Sequence, residues 1–341
     1  MSIHVDAEFA LAPRLIYLNH AAVAPWPLRT AAAVADFAEE NVQYGAAHQQ
    51  EWDKREQALR EQLRELLNAP SSDDIALLKN TSEGLSLIAY GLDWREGDQV
   101  VISEEEFPSN RIVWESLARY GVQVQVAPTQ QRVDPEQAIL DCINSRTRVV
   151  SVSSVSFATG LRLDLARIGQ HCRRHGVLFC IDAIQSLGAL ALDVQTVCAD
   201  FVVADAHKWL LGPEGIAVFF CAAAQRDRLT LRQFGWHMVA ELGNYDRRDW
   251  TPAATARRFE CGSPNSIGVA ALHASLSLLL EVGIKRVSEE VLNRTQYLSE
   301  ALVKLPGVDV LSRPGERFRS GIISFKPRQG SSEALGLRLR E

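Results

Sequence analysis

Between Ile75 and Cys221, short apolar runs recur, each followed by a stretch in which apolar residues fall every three or four positions. IALLK (75–79), QVVIS (99–103), VQVQVA (122–127), RVVSVSSV (148–155), VLFCID (177–182), FVVADA (201–206) and GIAVFFC (215–221) have the length and β-branched content of strands. Segments between them, such as SEGLSLIAYGL and LARIGQHCRRHG, have helical spacing. Strands alternating with helices predict a mainly parallel sheet covered on both faces, the α/β class. Upstream, Arg29 to Leu67 reads as a charged amphipathic region, with EWDKREQALREQLRELL its clearest helical part. After Asn265 come two long helical patterns, IGVAALHASLSLLLEVG and VSEEVLNRTQYLSEALVKL, then a strand pair, VDVLS and GIISF. The chain therefore divides into an N-terminal segment (1–18) packing with a smaller domain, a three-layer α/β/α major domain (19–264), and that smaller α+β domain (265–341).

Composition narrows the function classes. With 36 basic against 42 acidic residues, the formal net charge is −6. That argues against a nucleic-acid or anionic-membrane surface, though not against one small basic pocket. The opening MSIHVDAEFALAPR carries Asp6 and Glu8 and has no signal-peptide pattern, and no apolar run approaches the length of a membrane span. Six cysteines without a C-x-x-C pair read as reduced, mostly buried thiols. The expectation is a cytoplasmic protein with no bound metal.

In open α/β sheets the ligand site lies beyond the carboxyl ends of the strands, so the polar residues there matter most. IALLK leads into Asn80-Thr81-Ser82-Glu83, which reads as a helix cap and equally as two hydroxyls at a helix start suited to a phosphate. Phe107 follows QVVIS and three glutamates; it is either a core aromatic or a face for a planar ligand. Asp182 ends VLFCID as a helix cap or as a buried carboxylate facing a cation, with Gln185 three residues on. FVVADA delivers His207 and Lys208, an ordinary salt-bridged lysine or an amine whose task needs it neutral. Together a phosphate site, a ring face, a carboxylate for a ring nitrogen and a lysine for an aldehyde fit pyridoxal 5′-phosphate. A nucleotide-binding reading is poor, since neither G-x-G-x-x-G after the first strand nor G-x-x-x-x-G-K-[ST] occurs.

IDAIQSLGALALDV, ADFVVADAHKWLLGPEG and RRFECGSPNSIGVAAL, in that order, carry a resemblance that runs from about Tyr17 onward. The chain resembles the class V aminotransferase family of fold-type I pyridoxal-phosphate enzymes, which includes cysteine desulfurases, selenocysteine lyases, kynureninases and isopenicillin N epimerases. The resemblance implies the fold-type I PLP-transferase architecture, Lys208 as the Schiff-base lysine, Asp182 on the pyridine nitrogen and Gln185 near the ring hydroxyl. It also implies Thr81, Ser82 and His207 on the phosphate, Phe107 against the ring, and Asn19, His20 and Ala21 on the substrate side. Ser263 stands where a hydroxyl reaches the phosphate of the neighbouring subunit, which implies a homodimer with shared sites.

Three departures from the family pattern stand out. Asp205 replaces a phosphate-binding serine two residues before His207, and Phe157 replaces a polar residue near the ring. The chain ends at Glu341, before the strand that in relatives carries an arginine for the substrate carboxylate and, in desulfurases, a nucleophilic cysteine. The chain as given thus reads as truncated, with Arg319 the remaining arginine for that carboxylate and a thiol-persulfide desulfurase disfavoured. The expected activity is that of a pyridoxal-phosphate enzyme on an amino acid or other amine, by transamination, β-elimination or epimerisation. The rival is a non-catalytic regulator or assembly partner.

Overall fold

The computed structural model describes residues 5–130 and 132–339, so the first four residues of the 1–18 segment and the last two of 265–341 lie outside it. In chain order come α1 (Leu28–Tyr44), α2 (Gln49–Leu67), β1 (Ile75–Leu78), α3 (Thr81–Gly91), β2 (Gln99–Ser103), α4 (Ser109–Glu115) and β3 (Gln123–Ala127). Then follow α5 (Pro135–Asp141), β4 (Thr147–Ser153), α6 (Leu165–His175), β5 (Leu178–Asp182), β6 (Phe201–Asp205) and β7 (Ala217–Cys221). The chain continues with α7 (Ser266–Val282), α8 (Ile284–Lys304), β8 (Val308–Val310), β9 (Phe325–Pro327) and α9 (Ser332–Arg338).

The first seven strands form one sheet in the order β1-β7-β6-β5-β4-β2-β3. Its pairs are parallel except the two made by β7, with β1 and with β6. The physical reason is the short connection from β6 to β7, residues 206–216, which is too short to carry a crossover helix, so the chain turns straight back. Both faces are covered. Phe179, Ile181, Val202 and Ala204 pack with Leu59 and Leu63 of α2 and with Leu272 and Leu276 of α7. Leu178, Cys180, Phe201 and Val203 pack on the opposite face with Leu85 and Ile88 of α3 and Trp114 of α4. Burial on both faces is why these strands read as unbroken apolar runs. Each buried valine, leucine, isoleucine or phenylalanine among them stabilises the fold by about 1.5–3 kcal/mol.

Two stretches differ from the sequence reading. The charged region from Arg29 to Leu67 is two helices, broken where Gly45 takes a φ of 55°, and both pack against α7. In GIISF only Phe325 enters a strand, pairing through β9 with β8. The residues before it dock on the 156–160 turn instead: Ser320 Oγ donates to the Gly160 carbonyl at 2.7 Å, and Ser324 Oγ donates to the Ala158 carbonyl. Among the described residues no single helix is long and apolar enough to cross a membrane.

A buried cation ties α2 to the sheet. Arg60 donates to the Ile75 carbonyl, to both carboxylate oxygens of Glu260 and to Glu56, at 2.5–2.8 Å. Glu56, His237 and Glu260 bring ligand atoms within 4.8 Å of one another, but the guanidinium already serves both carboxylates. Arg60→Ala leaves those acids uncompensated. The expected cost is about 3–5 kcal/mol, measurable as a loss of unfolding free energy in urea.

Candidate active site

Asp182 ends β5 at the carboxyl edge of the sheet, opposite Ser153 of β4 and Val203 of β6. It is buried, at 2% exposure. Its Oδ1 accepts the Ile184 N–H at 3.0 Å, while Oδ2 has no hydrogen bond among the described residues. Burial pushes its pKa up to about 7, opposed by the charge of Lys208. A carboxyl with one free oxygen, held out of water, suits a ligand that brings its own N–H.

Lys208 lies in the turn between β6 and β7. The Gly212 N–H closes back on the Ala206 carbonyl at 2.9 Å, and the Leu211 N–H on the Lys208 carbonyl at 3.1 Å. Leu211 adopts a φ of 61°, unusual for a non-glycine residue. The half-buried lysine places Nζ 5.7 Å from the Phe107 ring centroid. Burial lowers its pKa, with Asp182 and Asp205 opposing, which raises the fraction of free amine at neutral pH. Phe107 is 42% exposed and meets Phe157 edge-on at 5.1 Å. It is not a core aromatic; it presents a face beside the amine.

The residues after Asp182 brace the other side. Gln185 is clasped at both ends, its Nε2 donating to the Ala21 carbonyl at 2.9 Å and its Oε1 accepting from Trp209 Nε1 at 3.1 Å. Gly188 (φ 98°) makes this approach possible, because a Cβ there would lie 2.1 Å from the Trp209 carbonyl oxygen. Asn19 accepts the Ala22 N–H through its carbonyl at 3.1 Å, turning the N-terminal segment over the site. His20 stacks on Trp209 at 5.6 Å. Burial lowers the His20 pKa, so the ring is neutral at physiological pH.

At the start of α3 the capping falls to Asn80, whose side chain accepts the Glu83 N–H at 2.9 Å. Thr81 and Ser82 are not needed for it. Ser82 donates to Ser109 Oγ at 2.9 Å. Thr81 gives both its N–H and its hydroxyl to Asp205 Oδ1, the latter at 3.1 Å. His207 Nδ1 sits 3.6 Å from Asp205 Oδ2. The exposed Ser263 lines a different cleft of about 350 Å³, with Lys79, Glu83, Gly215 and Asn265. Arg319 bonds Gln296 of α8 at 3.1 Å, and its charge bears on Arg162. Neither is placed with Lys208 and Asp182 by these contacts.

The arrangement fits pyridoxal 5′-phosphate at its ring and aldehyde ends: a buried acid with a spare oxygen, an amine of lowered basicity and an exposed aromatic face. The phosphate end carries a carboxylate where relatives have a hydroxyl. Sequence reasoning also missed Glu106, buried at 7% exposure and accepting from Asn110 Nδ2 and from the Ser153 N–H and hydroxyl at 2.6–2.8 Å. Burial pushes it up to about 7, with Asp182 adding to the rise. Within Glu104-Glu105-Glu106 no local pattern sets it apart from its neighbours. Trp209 was visible only as a neighbour of the lysine.

Comparison with known proteins identifies the family. The family model "Aminotransferase class-V" matches residues 16–341. The chain is 32% identical over 318 residues to a probable cysteine desulfurase of Methanothermobacter thermautotrophicus, covering 91% of this chain and 77% of that one. It is similar to the solved Escherichia coli cysteine desulfurase CsdA in its S-sulfonic acid form, with TM-score 0.80, 26% identity, and 91% and 78% of the two chains covered. It is also similar to the cystine C–S lyase C-DES in complex with its product cysteine persulfide, with TM-score 0.84, 25% identity, and 91% and 84% covered.

Proposed function

Because the chain belongs to the class V aminotransferase family, we propose that this pyridoxal 5′-phosphate enzyme cleaves the carbon–sulfur bond of a sulfur-bearing amino acid, with Lys208 and Asp182 as its catalytic residues. The observation that carries this reading is the pairing of a half-buried amine with a buried acid at the carboxyl ends of neighbouring strands, each opposing the pKa shift that burial imposes on the other. When bound, the coenzyme supplies an aldehyde for the lysine and a ring that takes up electrons released at the substrate Cα. Asp182 Oδ2 would hold the proton of the ring nitrogen. Lys208 Nζ, with its lowered basicity, would remove the Cα proton as general base. Gln185, fixed by Ala21 and Trp209, would stand beside the ring. Trp209 and His20, stacked on each other, would flank the substrate.

The choice of a sulfur amino acid rests on the relatives: cysteine desulfurases and a cystine C–S lyase are among those this chain resembles. The non-catalytic alternative finds no support in these comparisons. Incubation with cystine is expected to give pyruvate, ammonia and cysteine persulfide, and incubation with cysteine to give pyruvate, ammonia and hydrogen sulfide, each by β-elimination followed by hydrolysis of the released enamine. Sulfur remaining bound to carbon under both conditions, by mass spectrometry, would overturn the reading.

We also propose a homodimer in which Ser263 serves the partner's phosphate. Supporting it, Phe234, Trp236, Tyr245 and Trp250 cluster at a surface hollow and are 43–76% exposed, an aromatic patch of the kind that associations cover. The six cysteines are unpaired, which supports a reducing, cytoplasmic setting.

A further inference from the structure

The phosphate end of the coenzyme site contains a group of the wrong sign. Asp205 ends β6 and turns its carboxylate onto the first turn of α3, where it takes the Thr81 N–H and hydroxyl on one oxygen. Its other oxygen faces His207 Nδ1 at 3.6 Å. These donors, a helix-start N–H, a threonine hydroxyl and an imidazole, are of the type that grips a phosphate. Here a side chain of the protein already uses them.

We propose that Asp205 is a built-in anion at the phosphate end of the site, so that the phosphate contributes far less to coenzyme binding than the ring and aldehyde do. The inference rests on the coenzyme assignment above and concerns only how that coenzyme is held. Two negative groups sharing one set of donors repel strongly at low local dielectric. The phosphate must then bind beside Asp205 with the donors divided, or after Asp205 has taken up a proton. The groups facing Asp205 are Thr81 and His207, with Lys208 and Asp182 within electrostatic reach. Burial raises the Asp205 pKa against the pull of Thr81, His207 and Lys208, so protonation comes at a higher pH than for an ordinary aspartate. The repulsion therefore fades as pH falls.

The test compares dissociation constants for pyridoxal 5′-phosphate and for pyridoxal, which lacks the phosphate, in the wild-type chain, Asp205→Ser and Asp205→Asn. Visible absorbance of the lysine-bound aldehyde and quenching of tryptophan fluorescence are the readouts. Relative to pyridoxal, both variants are expected to bind the phosphorylated coenzyme about tenfold tighter or more than the wild-type chain does, equivalent to about 1.4 kcal/mol. The ratio of wild-type to Asp205→Ser dissociation constants for the phosphorylated coenzyme, divided by the same ratio for pyridoxal, should shrink from about pH 8.5 to about pH 5.5; dividing by the pyridoxal ratio removes the effect that Asp205 has on Lys208. Equal affinities, parallel changes for pyridoxal, or a ratio that grows on acidification would overturn the proposal. Loss of pyridoxal binding in both variants would make Asp205 a structural brace of α3 and overturn it as well. Failure of the wild-type chain to bind either aldehyde covalently would instead count against Lys208.

Discussion

Replacing Lys208 by alanine is expected to abolish turnover and the visible absorbance of the lysine-bound coenzyme while leaving the fold intact. A missing general base alone costs about 10²–10⁴-fold, and here the covalent anchor goes with it. The fold should tolerate the change because the amine is half-buried with a pKa lowered by burial, and among the described residues no hydrogen-bond network depends on Nζ. Unfolding free energy should change by about 1 kcal/mol or less. One secondary effect is diagnostic. Lys208 is the cation that opposes the burial of Asp182, so its removal should raise the Asp182 pKa further. Borohydride reduction followed by mass mapping checks the anchor, since a coenzyme adduct on another lysine would refute the assignment.

Replacing Asp182 by asparagine should separate function from stability. Losing a charge-assisted hydrogen bond, about 1.5–3 kcal/mol, slows turnover by about one to two orders of magnitude or more. In the protein without coenzyme the effect on stability has the opposite sign. The folded-state pKa of about 7 lies above the ordinary aspartate value of 3.8, so between these values the native state binds more protons than the unfolded chain. Stability from this group is present below about pH 4 and is lost as pH rises through 7. Each pH unit that separates the two values corresponds to about 1.4 kcal/mol, so ionising the carboxyl costs the fold on the order of a few kcal/mol. Asp182→Asn should therefore raise the melting temperature of the coenzyme-free protein at about pH 8 and scarcely at about pH 4. A melting temperature unchanged at both would show that the carboxyl is not held at cost.

Much of this was legible from residue order. Six strands of the main sheet announced themselves because both their faces are buried, so Phe179-Cys180-Ile181 and Phe201-Val202-Val203 carry no polar alternation to confuse them; the largely exposed edge strand β3 was legible instead from its alternation of valine and glutamine. Lys208 and Asp182 stood out for the same reason, as charges at the ends of apolar strands. What could not be read was pairing across the chain. Glu106 sits in a run of acids and only the fold places Ser153 against it. Ser320 and Ser324 satisfy backbone groups of the 156–160 turn, a contact no local pattern encodes, and GIISF therefore reads as a strand beyond its true one. Asp205 was visible as an anomaly, yet its hold on Thr81 depends on β6 ending beside the start of α3.

The return of β7 beside β6 has a consequence for how the amine is mounted. β6 and β7 both lie inside the sheet, flanked on either side by other strands, so the tether carrying Lys208 is anchored at both ends in the most protected part of the molecule. Amide protons along Val202–Val203 and Val218–Phe219 should exchange only through global opening. The nucleophile is thus fixed in place before any ligand arrives, and its capture of an aldehyde requires no segment to become ordered.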